Sequence, residues 1–216
     1  MKITINRRLK RWRKQWNIAK HQTVFEKIYS NVDGFSLSIA ARAERNAMEF
    51  VYGEITFEPF AALLGLCKPN EETVFYDLGS GTGKAVIACA MLCKVKKSVG
   101  IEYFSALHDC AQNQQHVLSL VPEYYEKSQT IQFIHDDFLN ASFADATLVF
   151  INATAYFGDY WSDISRHLEQ IPPKALVLSS SKALNSKLFI VLETTWITMS
   201  WGAVQMFIQE RLSNLD

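Results

Sequence analysis

The chain has 216 residues, 49% of them hydrophobic, and its 22 basic and 22 acidic side chains cancel to a formal net charge of zero. That is enough apolar material for one domain with a two- or three-layer core. There is no run of about 18 apolar residues, and charges stand where a signal peptide needs its apolar stretch, so membrane insertion and export are not expected and a cytoplasmic protein is.

The zero net charge hides an asymmetry. Residues 1–25 carry eight Lys/Arg (Lys2, Arg7, Arg8, Lys10, Arg11, Arg13, Lys14 and Lys20) and no acid, ahead of an acidic body. In "RRLKRWRKQW" the residues Leu9, Trp12 and Trp16 recur at three- and four-residue spacing, which predicts a helix with one apolar stripe and one cationic face. Such an arm suits a nucleic acid, an acidic membrane surface or an acidic partner; alternatively its tryptophans only dock it on the domain while the charges face water. Residues 1–50 read as a mainly helical extension, and residues 51–216 as the main domain.

Along that domain "TVFYDLG" is a short β-rich run ending in glycine and predicts a buried strand entering a tight loop. "KAVIACAMLC" follows as a helix, "KKSVGIEY" as a strand, "SALHDCAQNQQHVL" as a helix, and "TIQFIHDDF" and "ATLVFINATAY" as strands. "YWSDISRHLEQI" is a helix, and "KALVLSSS", "KLFIVLETTWITMS" and "AVQMFIQERL" are strands. This alternation predicts an α/β fold, a Rossmann-like seven-stranded, mostly parallel sheet with helices on both faces. The last two strands, separated only by "WG", predict an antiparallel C-terminal hairpin closing the sheet edge.

Cys67, Cys89, Cys93 and Cys110 lie in apolar or helical contexts with no C-x-x-C pair, so free thiols are expected. His108, His116, His135 and His167 show no ligand spacing, and no metal site is expected.

The loop in "FYDLGSGTGKAVIACAML" carries the chemistry. A phosphate-binding loop needs G-x-x-x-x-G-K-[S/T], but Leu78 stands where the first glycine should be and Ala85 follows Lys84. A dinucleotide fingerprint needs a glycine at Lys84. What remains is Asp77 at a strand end, then Gly79, Gly81 and Gly83 in G-x-G-x-G spacing, then Glu102 ending the next strand. That set suits an adenosyl group with an amino-acid tail: glycines let the chain pass close to the ligand, the helix N-terminus favours its carboxylate, and Asp77 accepts near its ammonium. Glu102 is placed to take both ribose hydroxyls, and Asp137 to meet the adenine amino group with Phe138 beside the ring. Asp77, Glu102, Asp137 and Asn152 all fall near carboxyl ends of strands, where open parallel sheets bind ligands.

Beyond the loop, "VYGEITF" (51–57), "YDLGSGTGK" (76–84), "GIE" (100–102), "DDFLN" (136–140), "VFINATAYF" (149–157), "LSSSKALN" (178–185) and "MSW" (199–201) occur in order. The set resembles the seven-strand S-adenosylmethionine-dependent methyltransferases and, within them, the Dot-one-like histone lysine methyltransferases. The resemblance implies S-adenosyl-L-methionine as cofactor and a lysine side chain of a protein as acceptor. It implies that Tyr52 and Glu54, with Thr56 nearby, belong to a loop folding over the cofactor. Asp77, Gly79, Ser80, Gly81, Gly83 and Lys84 would line its methionine end, Glu102 its ribose, and Asp137 and Phe138 its adenine. Asn152 matches the family's catalytic-channel asparagine, whose side-chain oxygen faces the incoming amine and which also lies against the cofactor. Tyr156 and Trp201, together with Tyr52, match aromatic positions by the lysine channel. This chain departs from the family pattern at Ala153 (asparagine), Thr154 (phenylalanine), Lys84 (glutamine) and Met206 (tyrosine). An RNA or small-molecule N-methyltransferase, or a cofactor-binding scaffold without catalysis, would use the same cofactor crevice.

Overall fold

Five apolar segments too short for helices build the centre of the protein in the computed structural model, which describes residues 10–43 and 52–213. They are β1 (Val74–Leu78), β2 (Lys97–Glu102), β3 (Ile131–His135), β4 (Leu148–Ile151) and β5 (Leu176–Ser180). All pair in parallel. The longer β6 (Phe189–Met199) and β7 (Gly202–Arg211) form the expected hairpin, turning through Ser200 and Trp201, with β7 antiparallel to both β5 and β6. The sheet order is β3-β2-β1-β4-β5-β7-β6, so β3 and β6 are the edge strands. Because the chain leaves β1 toward β2 on one side and pairs with β4 on the other, a crevice opens beyond the carboxyl ends of β1 and β4, as expected where strand order reverses.

Strands β1, β2, β4 and β5 are buried on both faces, and their alternating side chains feed two cores. Phe75, Phe133, Leu148, Phe150 and Leu178 point into one, while Val74, Tyr76, Leu78, Val99, Ile101, Val149 and Val177 point into the other. Helices α1 (Ile18–Ile28), α3 (Phe57–Cys67), α4 (Lys84–Leu92) and α5 (Ser105–Ser119) contribute to the first core. Helix α2 (Gly34–Arg42) packs on α5, a short helix α6 (Tyr125–Ser128) follows α5, and α7 (Gly158–His167) covers the second core with Trp161 and Ile164.

Helix α3 has no counterpart among the predicted elements. Its sequence, "FEPFAALLGLC", is apolar nearly all round, with Phe57, Phe60, Ala61, Leu63 and Leu64 buried, so it lacks the polar face that reveals a helical period. At the N-terminal end, Ile18, Phe25, Ile28 and Tyr29 share the first core with the sheet. Residues 10–15 are helical, and Trp12 and Trp16, with ring centroids 6.0 Å apart, pack on α3 at Gly65, where an added Cβ would stand 3.1 Å from the Trp12 Nε1. Arg13 pairs with Glu58, and Lys20 with Glu123 at 2.6 Å. The boundary at residue 51 and the arm residues Lys2, Arg7, Arg8 and Leu9 lie outside the described residues. No described helix is long and apolar enough to cross a membrane, and the four cysteines are free thiols.

Candidate active site

The site begins where β1 runs out. Gly79 and Ser80 donate their N–H groups to Ile101 O of β2 at 2.9 and 3.0 Å, which bends the chain over the end of the sheet before Lys84 starts α4. Gly81 has φ of +55°, and a Cβ there would come 2.9 Å from the Tyr52 ring, so both backbone shape and close approach demand glycine. Gly83, also at positive φ, packs instead against Phe133, where a Cβ would stand 2.6 Å from the ring. Gly83 therefore shapes the turn from behind and does not line the crevice.

Glu102 does more than its strand-end position announced. Its Oε2 accepts from Gly81 N at 2.8 Å and its Oε1 from Phe104 N at 2.9 Å, so the carboxylate pins the glycine turn to the loop after β2. The Tyr103 N–H engages the carboxylate as well, which leaves it part of its lone-pair capacity for a ligand hydroxyl. Burial raises the carboxyl pKa above its ordinary range, and the N–H groups of Phe104 and Gly81 pull the other way. Asp77 is 4% exposed, and burial, then the charge of Glu102, pushes its pKa well above the usual carboxylate value. Among the described residues no cation offsets it.

Asp77, Glu102, Asp137 and Asn152, from the ends of four parallel strands, line one cavity together with Tyr52, Glu54, Gly79, Ser80, Gly81, Lys84, Phe138 and Tyr156. A buried carboxylate without a counter-ion and a second carboxylate with lone-pair capacity to spare form an acceptor-rich wall. An ammonium and ribose hydroxyls are the donors such a wall suits, so the residues fit an adenosyl ligand with an amino-acid tail. Among the described residues no group of His, Cys, Asp and Glu could hold a metal ion.

A strap, residues 52–56, closes one side. Tyr52 OH donates to Glu54 Oε1 at 2.6 Å, Thr82 Oγ1 donates to the same oxygen at 3.0 Å, and Lys84 Nζ meets Glu54 Oε2 at 2.5 Å. Burial, then the neighbouring Glu54 charge, holds the Tyr52 phenol well above its ordinary pKa and so protonated. Besides Gly83, two expected site residues sit outside the lining. Thr56 turns its hydroxyl to Thr198 O of β6, and the Trp201 ring, 41% exposed, lies over Gly53, stacked on the outside of the strap.

On the opposite side Asn152 corrects an expectation. Its Oδ1 accepts from Ser180 Oγ at 2.7 Å and from Thr154 Oγ1 at 3.0 Å, while Nδ2 reaches Gly53 O at 3.5 Å. The side-chain oxygen, expected to face the incoming amine, is thus engaged by hydroxyls that come from Thr154, where the family has phenylalanine, and from the end of β5. Tyr156 forms an aromatic wall with Phe138 and Tyr160, at centroid distances of 6.0 and 5.5 Å. Met206 is fully buried opposite Ser180 in the β5–β7 ladder, inside the first core. Sequence reasoning missed Tyr103, Phe104, Tyr160, Ser38 and Met199 as lining residues. Tyr103 and Phe104 directly follow a strand-end carboxylate and were discoverable by the same strand-end rule; Met199 opens the "MSW" motif, and Ser38 carries no local signal.

The family described as histone methylation protein DOT1 matches residues 40–200. A Caenorhabditis elegans protein named histone-lysine N-methyltransferase, H3 lysine-79 specific, is 33% identical over 49% of this chain and 12% of its own length. A protein of the same name from Kluyveromyces lactis is 35% identical over 30% of this chain and 11% of its own. The match therefore spans only about an eighth of these relatives or less. An RNA methyltransferase from Salinibacter ruber, solved with S-adenosyl-L-homocysteine, superposes with a TM-score of 0.58 at 21% identity, covering 74% of this chain and 95% of that one, a likeness of fold. With the match extending over most of the chain, from α2 through the strap, the glycine turn and Asn152 to the β6–β7 turn, the protein belongs to the DOT1 histone methylation family.

Proposed function

We propose that the protein is an S-adenosyl-L-methionine-dependent methyltransferase acting on a lysine amine of a protein substrate. The observation that carries this reading is the convergence of Asp77, Glu102, Asp137 and Asn152 on one cavity walled by tyrosines, in a chain of the DOT1 family. The names of the two relatives support a protein-lysine acceptor. A cytoplasmic setting belongs to the same proposal and is supported by the free thiols of Cys67, Cys89, Cys93 and Cys110.

When bound, the cofactor supplies a sulfonium methyl: the amine lone pair forms the new nitrogen–carbon bond as the carbon–sulfur bond breaks and its electron pair stays on sulfur. The protein's part is placement. Asp77 would hold the ammonium end, Glu102 the ribose hydroxyls, and Asp137 with Phe138 the adenine. Alignment of this kind is worth roughly 7–11 kcal/mol of barrier. The acceptor must also arrive neutral, and a lysine of pKa about 10.4 is neutral only about once in 2,500 at pH 7, a cost near 4.6 kcal/mol. Tyr52 and Tyr156 lower that cost by excluding water. Both phenols have raised pKa values, dominated by burial, so they stay protonated and act as walls. Asn152, its oxygen taken by Ser180 and Thr154, walls the acceptor side of the cavity in a fixed position. The displaced proton leaves to solvent.

Calorimetry with S-adenosyl-L-homocysteine, then tritium transfer from labelled cofactor into a lysate with mass spectrometry of the product, tests both halves. Heat on mixing and label on a protein lysine are expected; no heat overturns the cofactor assignment. Label in RNA supports a second reading, which the exposed Lys10, Arg11 and Lys14 favour and which predicts salt-dependent RNA binding.

A further inference from the structure

The strap is fastened unequally on its two sides. Toward the β6–β7 hairpin it is held through its own backbone: Ser200 N donates to Glu54 O at 3.0 Å, Glu54 N donates to the Ser200 hydroxyl at 3.1 Å, and Ile55 bridges Met199. Toward the glycine turn, among the described residues, only side chains hold it. Tyr52 OH reaches Thr82 Oγ1 at 3.3 Å, Thr82 Oγ1 reaches Glu54, and Lys84 meets Glu54 at 2.5 Å. A segment tied by backbone on one side and by side chains on the other swings from the backbone side.

Lys84 is the ionic part of the weaker side. It is the first residue of α4, the end of a helix at which the macrodipole disfavours a cation, so its ammonium gains nothing from its own helix. What it gains is Glu54, thirty positions away in sequence, and the face of the Tyr29 ring, 5.2 Å from its Nζ. The two side chains are only 19% and 17% exposed, so water and salt screen the pair less than they screen a surface bridge. Glu54 in turn holds Tyr52, whose ring covers Gly81. Breaking the ion pair therefore loosens Glu54 and Tyr52 together, and these two residues wall the cavity.

We propose that the Glu54–Lys84 ion pair is a latch that fastens residues 52–55 over the cavity, so that its opening sets the rate at which the ligand enters and leaves. Lys84 is then a positioning residue acting through Glu54. The proposal rests on reading the cavity as an adenosyl-ligand site.

The test is stopped-flow association and release of S-adenosyl-L-homocysteine with the full chain, followed by the change in tryptophan fluorescence that is lost in Trp201→Phe, the residue that lies on the strap. Lys84→Met and Glu54→Gln should each speed both association and release by about tenfold, because a strap that opens more often passes ligand in both directions. Lys84→Arg should stay within about threefold of the wild type, and the double variant should be no faster than the faster single one, since both changes break the same pair. A damaged site would quicken release without quickening association. Unchanged rates, quickened release alone, or additive effects in the double variant overturn the latch while leaving the cofactor assignment intact. No calorimetric heat from the wild type overturns that assignment and the latch with it. Should Lys84→Met fail to fold by circular dichroism, the near-isosteric Glu54→Gln carries the same test.

Discussion

Ser180 Oγ, at the last residue of β5, donates to Asn152 Oδ1 at 2.7 Å and accepts from Ala153 N at 2.8 Å, so one hydroxyl fixes both the side chain and the backbone that leave β4. Ser180 itself is fully buried. Replacing it with alanine leaves the Ala153 N–H without its partner, which should cost about 1–3 kcal/mol in urea denaturation. It also releases Asn152 to other rotamers. Methyl transfer should fall about tenfold or more in Ser180→Ala and in Asn152→Ala, while affinity for S-adenosyl-L-homocysteine stays within about threefold. A parallel loss of cofactor affinity in Asn152→Ala would remove that residue from the acceptor side of the site.

The two buried carboxyls make binding pH-dependent, with a definite sign. Burial raises both Asp77 and Glu102 above their ordinary values, so between the ordinary and the raised pKa the folded, ligand-free protein binds more protons than the unfolded chain. Its stability therefore falls as pH rises through that window. A ligand that presents an ammonium and hydroxyl donors favours the ionised carboxylates, so binding within the same window releases protons and tightens as pH rises. Calorimetry in buffers of different ionisation enthalpy should show that release. Asp77→Asn should raise the melting temperature of the ligand-free protein and weaken cofactor binding, the opposed pair of effects that marks a group kept for function at a cost in stability. A variant that loses stability along with affinity would assign Asp77 a structural role instead.

Asp77, Glu102, Asp137 and Asn152 were legible in the sequence because a parallel sheet turns a linear pattern into a location: a polar residue just past an apolar run is delivered to the same edge as every other. Relations across that edge were not. Nothing in "LSSSKALN" says that Ser180 reaches Asn152, since the hydrogen bond depends on β4 and β5 being neighbours. Sequence adjacency misled at Thr56 and Trp201, which sit beside site residues in the chain but turn to β6 and to the outer side of the strap. Helix α3 escaped for a different reason, being buried on too many sides to show a period.

The relation of Trp201 to the strap yields a separate expectation. A Cβ on Gly53 would be driven into the indole, so Gly53→Ala should displace the Trp201 ring toward solvent. Since Gly53 O also meets Asn152 Nδ2, the strap should shift with it. A red-shifted tryptophan emission with cofactor affinity reduced about tenfold would report both movements. An unshifted spectrum in a folded variant would mean that the ring does not rest on the strap in solution.

The basic N-terminal segment must be tested by its charges and not by its removal. Deleting residues 1–25 takes Ile18 and Phe25, 2% and 5% exposed, out of the first core. Phe25 lies between Tyr29 and Phe57, with ring centroids 4.8 Å from each, and Phe25→Ala alone should cost about 3–5 kcal/mol. Any loss of activity in the deletion would then report unfolding. Lys10, Arg11 and Lys14 are exposed, so replacing all three with glutamine should leave the denaturation midpoint nearly unchanged, each within about 0.5 kcal/mol. If the segment serves a polyanionic partner, the triple variant should bind RNA with a shallower dependence of log affinity on log salt, by about 0.7 for each phosphate that is no longer neutralised. An identical salt slope in a folded triple variant would leave Trp12 and Trp16, docked on α3, as what the segment contributes.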